Sequence, residues 1–141
     1  MGTRRKGGMK TMAQPRLSYG VQVGTRINIA DNSGAKIAQI IMVDGYKGRQ
    51  RRLPKARVGQ VTTVTIKKGK PELRGNILKC VIVRQKRIFR RLDGTRISFE
   101  DNAGVIVSRE GEPKGTEIRG PIAREAAEAF PRLASISSLI V

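Results

Sequence analysis

Few residues in this chain are equipped for bond-breaking chemistry. There is no histidine, which removes histidine-based triads and imidazole metal sites. Cys80 is the only cysteine, so neither an internal disulfide nor a cysteine-rich zinc site is open to it. It sits in the apolar run Cys80-Val81-Ile82-Val83 and reads as an inert core thiol in a reducing compartment. Gly69-Lys70 lacks the spaced glycine of a phosphate loop, and Pro71 follows where Ser or Thr would be needed. Glu100-Asp101 is the only adjacent carboxylate pair, the kind of group a two-metal nuclease uses. Asn102 and Gly104 beside it make a strand-to-turn reading the better one. The expectation is a protein that is not an enzyme and carries no metal or cofactor.

The basic residues say more. The chain of 141 residues holds 29 Lys+Arg against 11 Asp+Glu, a net charge of +18. That surplus favours a polyanionic partner. No apolar run approaches the ~20 residues of a membrane span, and the basic start is not followed by the apolar block of a signal peptide. Nucleic acid is therefore favoured over a membrane surface. One basic segment runs from Lys47 through Arg49, Arg51, Arg52 and Lys55 to Arg57, six cations in eleven residues with no acid. Such a loop repels itself until phosphates neutralise it. A second segment, Arg84 to Phe99, carries Arg84, Lys86, Arg87, Arg90, Arg91 and Arg96 around Asp93-Gly94. Asp-Gly between β-type runs predicts a two-residue hairpin turn. In that register Arg91 faces Arg96 and Phe89 faces Ser98, an arginine pair that an RNA backbone would compensate. Only five aromatic residues are present, too few for a reader of single-stranded bases. Folded RNA, held by phosphate contact and shape, fits better.

The elements that must position these groups are mostly strands. Residues 1–18 form a basic extension with no periodicity, carrying Arg4, Arg5 and Lys6, and are expected to be disordered alone. Residues 19–141 suit a single globular domain. Strands are predicted near residues 25–30, 37–43, 61–67, 77–84, 88–92, 95–99 and 104–108, the fourth nearly all apolar, as a central strand would be. Many short strands with glycine-rich turns argue for a small antiparallel barrel. A helical part is expected over 120–141, with Pro121 at a first helical position and Pro131 ending that helix and opening another turn. The apolar ending Ser138–Val141 is expected to dock on the barrel.

Charge divides the chain. Residues 1–96 hold 24 cations and 4 acids, whereas residues 97–141 hold 5 cations and 7 acids. The C-terminal third therefore suits a protein partner, with Glu112, Glu117, Glu125 and Glu128 repelling phosphate and Phe130 and Leu133 offered as apolar anchors.

Three ordered stretches carry a family resemblance: Asn28-Ile29-Ala30-Asp31-Asn32-Ser33-Gly34-Ala35, the run from Val81 through Asp93-Gly94-Thr95-Arg96 to Ala103, and Gly115-Thr116-Glu117-Ile118-Arg119-Gly120-Pro121-Ile122-Ala123-Arg124-Glu125. Together they resemble the universal large-subunit ribosomal protein fourteen family, called twenty-three in older eukaryotic naming. The similarity spans residues 21–132. The ends depart from the bacterial pattern: residues 1–18 are an extension, and Phe130-Pro131-Arg132-Leu133-Ala134-Ser135 resembles the archaeal and eukaryotic branch, which favours an archaeal-type member. Thr116 matches the surface met by the bacterial ribosome-silencing factor, but Glu117 stands where that pattern has arginine. The resemblance implies a mainly β fold, a five-stranded barrel with a projecting β-ribbon and a short C-terminal helical region. It implies a structural, cytoplasmic role on the interface side of the large subunit. The partners implied are large-subunit rRNA, small-subunit rRNA at bridges, ribosomal protein three, and initiation factor six at the C-terminal region. The basic residues named above are then the rRNA-binding candidates. Thr116, Glu117, Arg124, Glu128, Phe130 and Arg132 are the protein-docking candidates. The competing readings are a free nucleic-acid chaperone on a small barrel and the metal-dependent nuclease at Glu100 and Asp101.

Overall fold

A computed structural model describes residues 17–141. The elements, in chain order, are β1 (Val21–Gln22), β2 (Arg26–Ile29), β3 (Ala35–Val43), β4 (Lys55–Ala56), β5 (Val61–Gly69), β6 (Ile77–Arg84), β7 (Phe89–Arg90), β8 (Arg96–Ile97), β9 (Ala103–Val107), β10 (Ile118–Ile122), α1 (Arg124–Ala129), α2 (Pro131–Ile136) and β11 (Ser137–Ile140). Five of them, β2-β3-β5-β6-β9, close a barrel. Four of its pairings are antiparallel, and the seam between β2 and β9 is parallel. The mainly β barrel with a short C-terminal helical region is the expected fold, and the parallel seam is the one departure from an all-antiparallel sheet.

Strand β6 reads as a continuous apolar run because both of its faces are covered. Cys80 and Ile82 point into the barrel with Ile27, Ile40, Val64, Ile66 and Ile106. Val81 and Val83 point outward and pack with Val105, Val107, Ile118, Ile122, Ala126, Phe130 and Leu133. The molecule thus has two cores separated by one sheet layer. Burial pushes the Cys80 thiol well above its ordinary range, with the nearby Asp31 charge adding to the shift. That matches an inert core thiol.

The C-terminal part corrects two expectations. Pro121 is not a first helical residue. It lies in β10, whose partner is β11 in parallel, and α1 begins only at Arg124. Arg84 explains the extended path, since its guanidinium donates to the carbonyls of Arg119 (2.9 Å) and Pro121 (3.1 Å). Gly120 between them has φ +77°, and a Cβ there would lie 2.7 Å from the Arg84 guanidinium. The second correction concerns Phe130 and Leu133, which are 6% and 0% exposed and belong to the outer core. Ala126, Ala127 and Ala129 are buried with them, so the close approach that small side chains permit is used internally. The tail does join its own domain through β11, although Leu139, Ile140 and Val141 stay exposed.

Candidate nucleic-acid interface

The two basic segments meet at one end of the barrel. β3 leaves the barrel at Val43, opposite Thr62 near the start of β5, and the Lys47–Arg57 segment follows from there. β6 ends at Arg84 on the same side, because Val61 pairs with Val81. The segment holds a reverse turn in which the Arg52 N–H donates to Arg49 O at 3.1 Å. Arg51 has φ +66°, a left-handed conformation unusual for a side chain of this size. β4 then returns to pair with β1, and Ala56 and Val58 are fully buried. The root is fixed by aromatic contacts: Tyr19 meets Tyr46 edge-on at 6.5 Å, and the Arg57 guanidinium lies 5.8 Å from the Tyr19 ring centre.

Arg87 completes this surface from the other segment by donating to Tyr19 O at 3.2 Å. Lys55 and Arg87 line one shallow groove together with Tyr19, Gly20, Val21, Gln22 and Thr25. Lys47, Arg49, Arg51, Arg52, Lys55, Lys86, Arg87, Arg90 and Arg96 are all exposed. None of them forms an ion pair among the described residues. This arrangement presents exposed positive charge with no counterion among the described residues, which suits phosphate. Arg4, Arg5 and Lys6 lie outside the described residues.

The hairpin departs from the expected register by one residue. Phe89 pairs with Ile97, and Arg90 with Arg96. The turn is a three-residue loop rather than a two-residue one. Gly94 N–H donates to Arg91 O at 3.0 Å, Arg91 N–H donates to Thr95 O at 2.8 Å, and Gly94 takes φ +89°. This is a turn followed by a bulge glycine, which Asp-Gly serves as well as the shorter loop. Asp93 pins it by accepting the Thr95 N–H at 2.9 Å. That bond holds the Asp93 carboxyl below its ordinary pKa. The shift puts Phe89 in the outer core at 1% exposure, while the tip residue Leu92 is 90% exposed.

Two hairpin-segment arginines turn inward instead of outward. Arg91 makes a two-pronged pair with Glu125, Nε to Oε1 at 2.7 Å and an Nη nitrogen to Oε2 at 3.2 Å, and also donates to Val141 O at 2.6 Å. Both side chains are nearly buried, at 12% and 8% exposure. Arg84 makes a similar pair with Asp101 at 3.0 and 3.3 Å. Desolvation pulls the Asp101 pKa upward, but the bonds from Asn28 and Arg84 and the Arg84 charge outweigh it and hold the carboxyl below its ordinary range. Asp101 is therefore committed to structure, and Glu100 beside it is exposed. No cluster of metal-ligating side chains occurs among the described residues.

The three stretches that carry the family resemblance are bonded to one another. Asn28 donates to Asp101 at 3.0 Å. Asn32 donates to the Thr116 hydroxyl at 2.9 Å and accepts the Thr116 N–H at 2.8 Å. Asp31, 4% exposed, accepts the Ile106 N–H at 3.0 Å and caps the Ser33 turn. Of the docking candidates, Thr116, Glu117, Arg124, Glu128 and Arg132 are exposed, Arg132 in an ion pair with Glu112, whereas Phe130 is core. Glu125, expected to be free for a partner, is held by Arg91.

One cationic group escaped the sequence reading. Lys36, Lys67, Lys68, Lys70 and Arg74 gather at the opposite end of the barrel, all exposed or half-buried at its rim. The near-consecutive Lys67-Lys68-Gly69-Lys70 was the available signal.

Residues 20–141 match the family model of ribosomal protein L14p/L23e. The large ribosomal subunit protein uL14 of Methanoregula boonei is 48% identical over 128 residues, 91% of this chain and 97% of that protein. Those of Thermofilum pendens and Metallosphaera sedula are 52% and 55% identical over 125 residues, in each case 89% of this chain and about nine tenths of the relative. With the barrel, the bonded stretches and the cationic end in hand, the chain belongs to the ribosomal protein L14p/L23e family, and its relatives here are archaeal.

Proposed function

We propose that this protein is a structural, RNA-binding constituent of the large ribosomal subunit in the cytoplasm. The observation that carries this reading is the end of the barrel where Lys55 and Arg87 line one groove and the exposed cations of both basic segments form no ion pair among the described residues. Family membership at about half identity to proteins named as large-subunit components supports it. A positive surface of this kind grips phosphates and orients on RNA shape, leaving base identity unread. The exposed cations Arg49, Arg51, Arg52 and Lys55 are assigned to small-subunit rRNA at a bridge. Lys86, Arg87, Arg90 and Arg96 are assigned to rRNA of the large subunit. The C-terminal face, with Thr116, Glu117, Arg124, Glu128 and Arg132 exposed, is assigned to protein neighbours, ribosomal protein three and the anti-association initiation factor six. The test is fractionation of a cell expressing the tagged chain. It should remain with the large subunit through a high-salt wash, and recovery in the ribosome-free supernatant would favour the free chaperone instead.

A further inference from the structure

We infer that the Lys67–Arg74 end of the barrel is a further phosphate-binding surface, which holds a large-subunit RNA backbone segment distinct from the one assigned to Lys86, Arg87, Arg90 and Arg96. The inference rests on the rRNA-binding reading above and extends it to the far end of the barrel. Geometry separates the two ends. Val61 lies at one end of β5 and Gly69 at the other, and nine residues of strand at ~3.3 Å each put the two ends roughly 25–30 Å apart. None of the residues lining the groove at Lys55 and Arg87 comes from the Lys67–Arg74 end.

The far end is built, not merely charged. Lys70 N–H donates to Gly34 O at 3.1 Å, Leu73 N–H to Lys70 O at 3.0 Å, and Gly75 N–H to Ile66 O at 2.9 Å. Arg74 Nε donates to Lys67 O at 3.3 Å, and Asn76 donates to Glu72 O at 2.9 Å. Leu73 packs against the barrel core and anchors the turn from beneath. Gly69 permits the tight join, since a Cβ there would lie 2.7 Å from Gly34 O. The Lys70 stem lies over Gly34, where a Cβ would come within 2.7 Å of it. Lys36 is brought alongside by the pairing of Ile37 with Lys68. Five exposed cations are thus carried by a strand end and a turn whose backbone is hydrogen-bonded to the barrel. Glu72, the one acid in that turn, pairs with none of them among the described residues. Like charges fixed this closely repel in the free protein, and a polyanion removes that cost without ordering the turn further.

The experiment compares the full chain with a variant carrying Lys67→Gln, Lys68→Gln, Lys70→Gln and Arg74→Gln, binding a large-subunit rRNA transcript across a salt series. Each phosphate interaction removed should flatten the plot of log affinity against log salt by roughly 0.7–0.9, so the slope of the four-site variant should fall by about 2.8–3.6 units. Hydroxyl-radical footprinting should show one protected RNA segment vanish in this variant while a second persists. A Lys86→Gln, Arg87→Gln, Arg90→Gln variant should do the reverse. Single Lys68→Gln gives a smaller drop in the same direction should the quadruple variant unfold. An unchanged slope and footprint, including one produced because an acidic protein covers this turn instead, overturns the inference. So does disappearance of the same RNA segment in both variants. Wild-type binding that ignores salt would instead defeat the RNA-binding reading itself.

Discussion

The Lys47–Arg57 segment and the Arg84–Phe99 segment each carry six cations, yet they use them differently. In the first, every cation is free of an internal carboxylate among the described residues. In the second, Arg84 and Arg91 are taken up by Asp101 and Glu125, and four cations remain outward. The difference comes from the C-terminal third, whose acids reach the hairpin and never reach the loop. Counting positive charge along a sequence therefore overstates what is offered to RNA wherever an acid from a distant element can turn inward. It also divides the hairpin between two duties, since one face fixes the C-terminal helices and the other faces solvent.

Breaking the buried pair should produce the largest effect. Arg91→Met removes the two-pronged Arg91 guanidinium from Glu125, whose side chain is 8% exposed, which should cost up to about 3–5 kcal/mol in urea unfolding. The neighbouring Arg90→Met, at an exposed position, should stay within about 0.5 kcal/mol of wild type. Equal destabilisation by the two would erase the distinction between inward and outward arginines. Next, Arg49, Arg51, Arg52 and Lys55 replaced together by Ala should leave unfolding nearly unchanged and weaken subunit joining. Joining that is unaltered across magnesium and salt would remove the loop from the bridge.

The smallest effect is a pH dependence. Because Asp101 is held below its ordinary pKa in the fold, its contribution is fully present above the unfolded value of about 3.9. It is lost as pH falls through the lower folded value. An Asp101→Asn variant, measured by acid unfolding, should lack this component and lose stability less steeply below about pH 4 than wild type. An identical acid limb would mean that the Arg84 pair contributes nothing titratable.

Legibility in the sequence follows how local the deciding interaction is. β6 is readable from Ile77 to Arg84, because burial on both faces leaves an unbroken apolar run. β1 and β4, two residues each, exist only through pairing with one another and leave no pattern to read. β10 contains Arg119-Gly120-Pro121, which reads as a helix start until Arg84 and β11 hold it extended. The expected hairpin register fails because Asp93-Gly94 serves two loop lengths, and the burial of Phe89 decides between them. The pairing of Arg91 with Glu125, 34 residues apart, has no local signature. Phe130 is different, since its burial is readable. A large apolar residue directly before Pro131, at the join of two short helices, is covered by their apolar residues, here Ala126 and Ala129 of α1 and Leu133 of α2.

That β6 belongs to both cores has a consequence for how the protein comes apart. The helices cannot peel away without baring Val81 and Val83, and the barrel cannot open without stripping Cys80 and Ile82 from the same backbone. Neither half retains a finished interior alone, so the two constitute one cooperative unit rather than a stable barrel with a detachable cap. Amide protons along β6 are then released only by global opening, and a partner bound at either end of the molecule protects the same set of hydrogens.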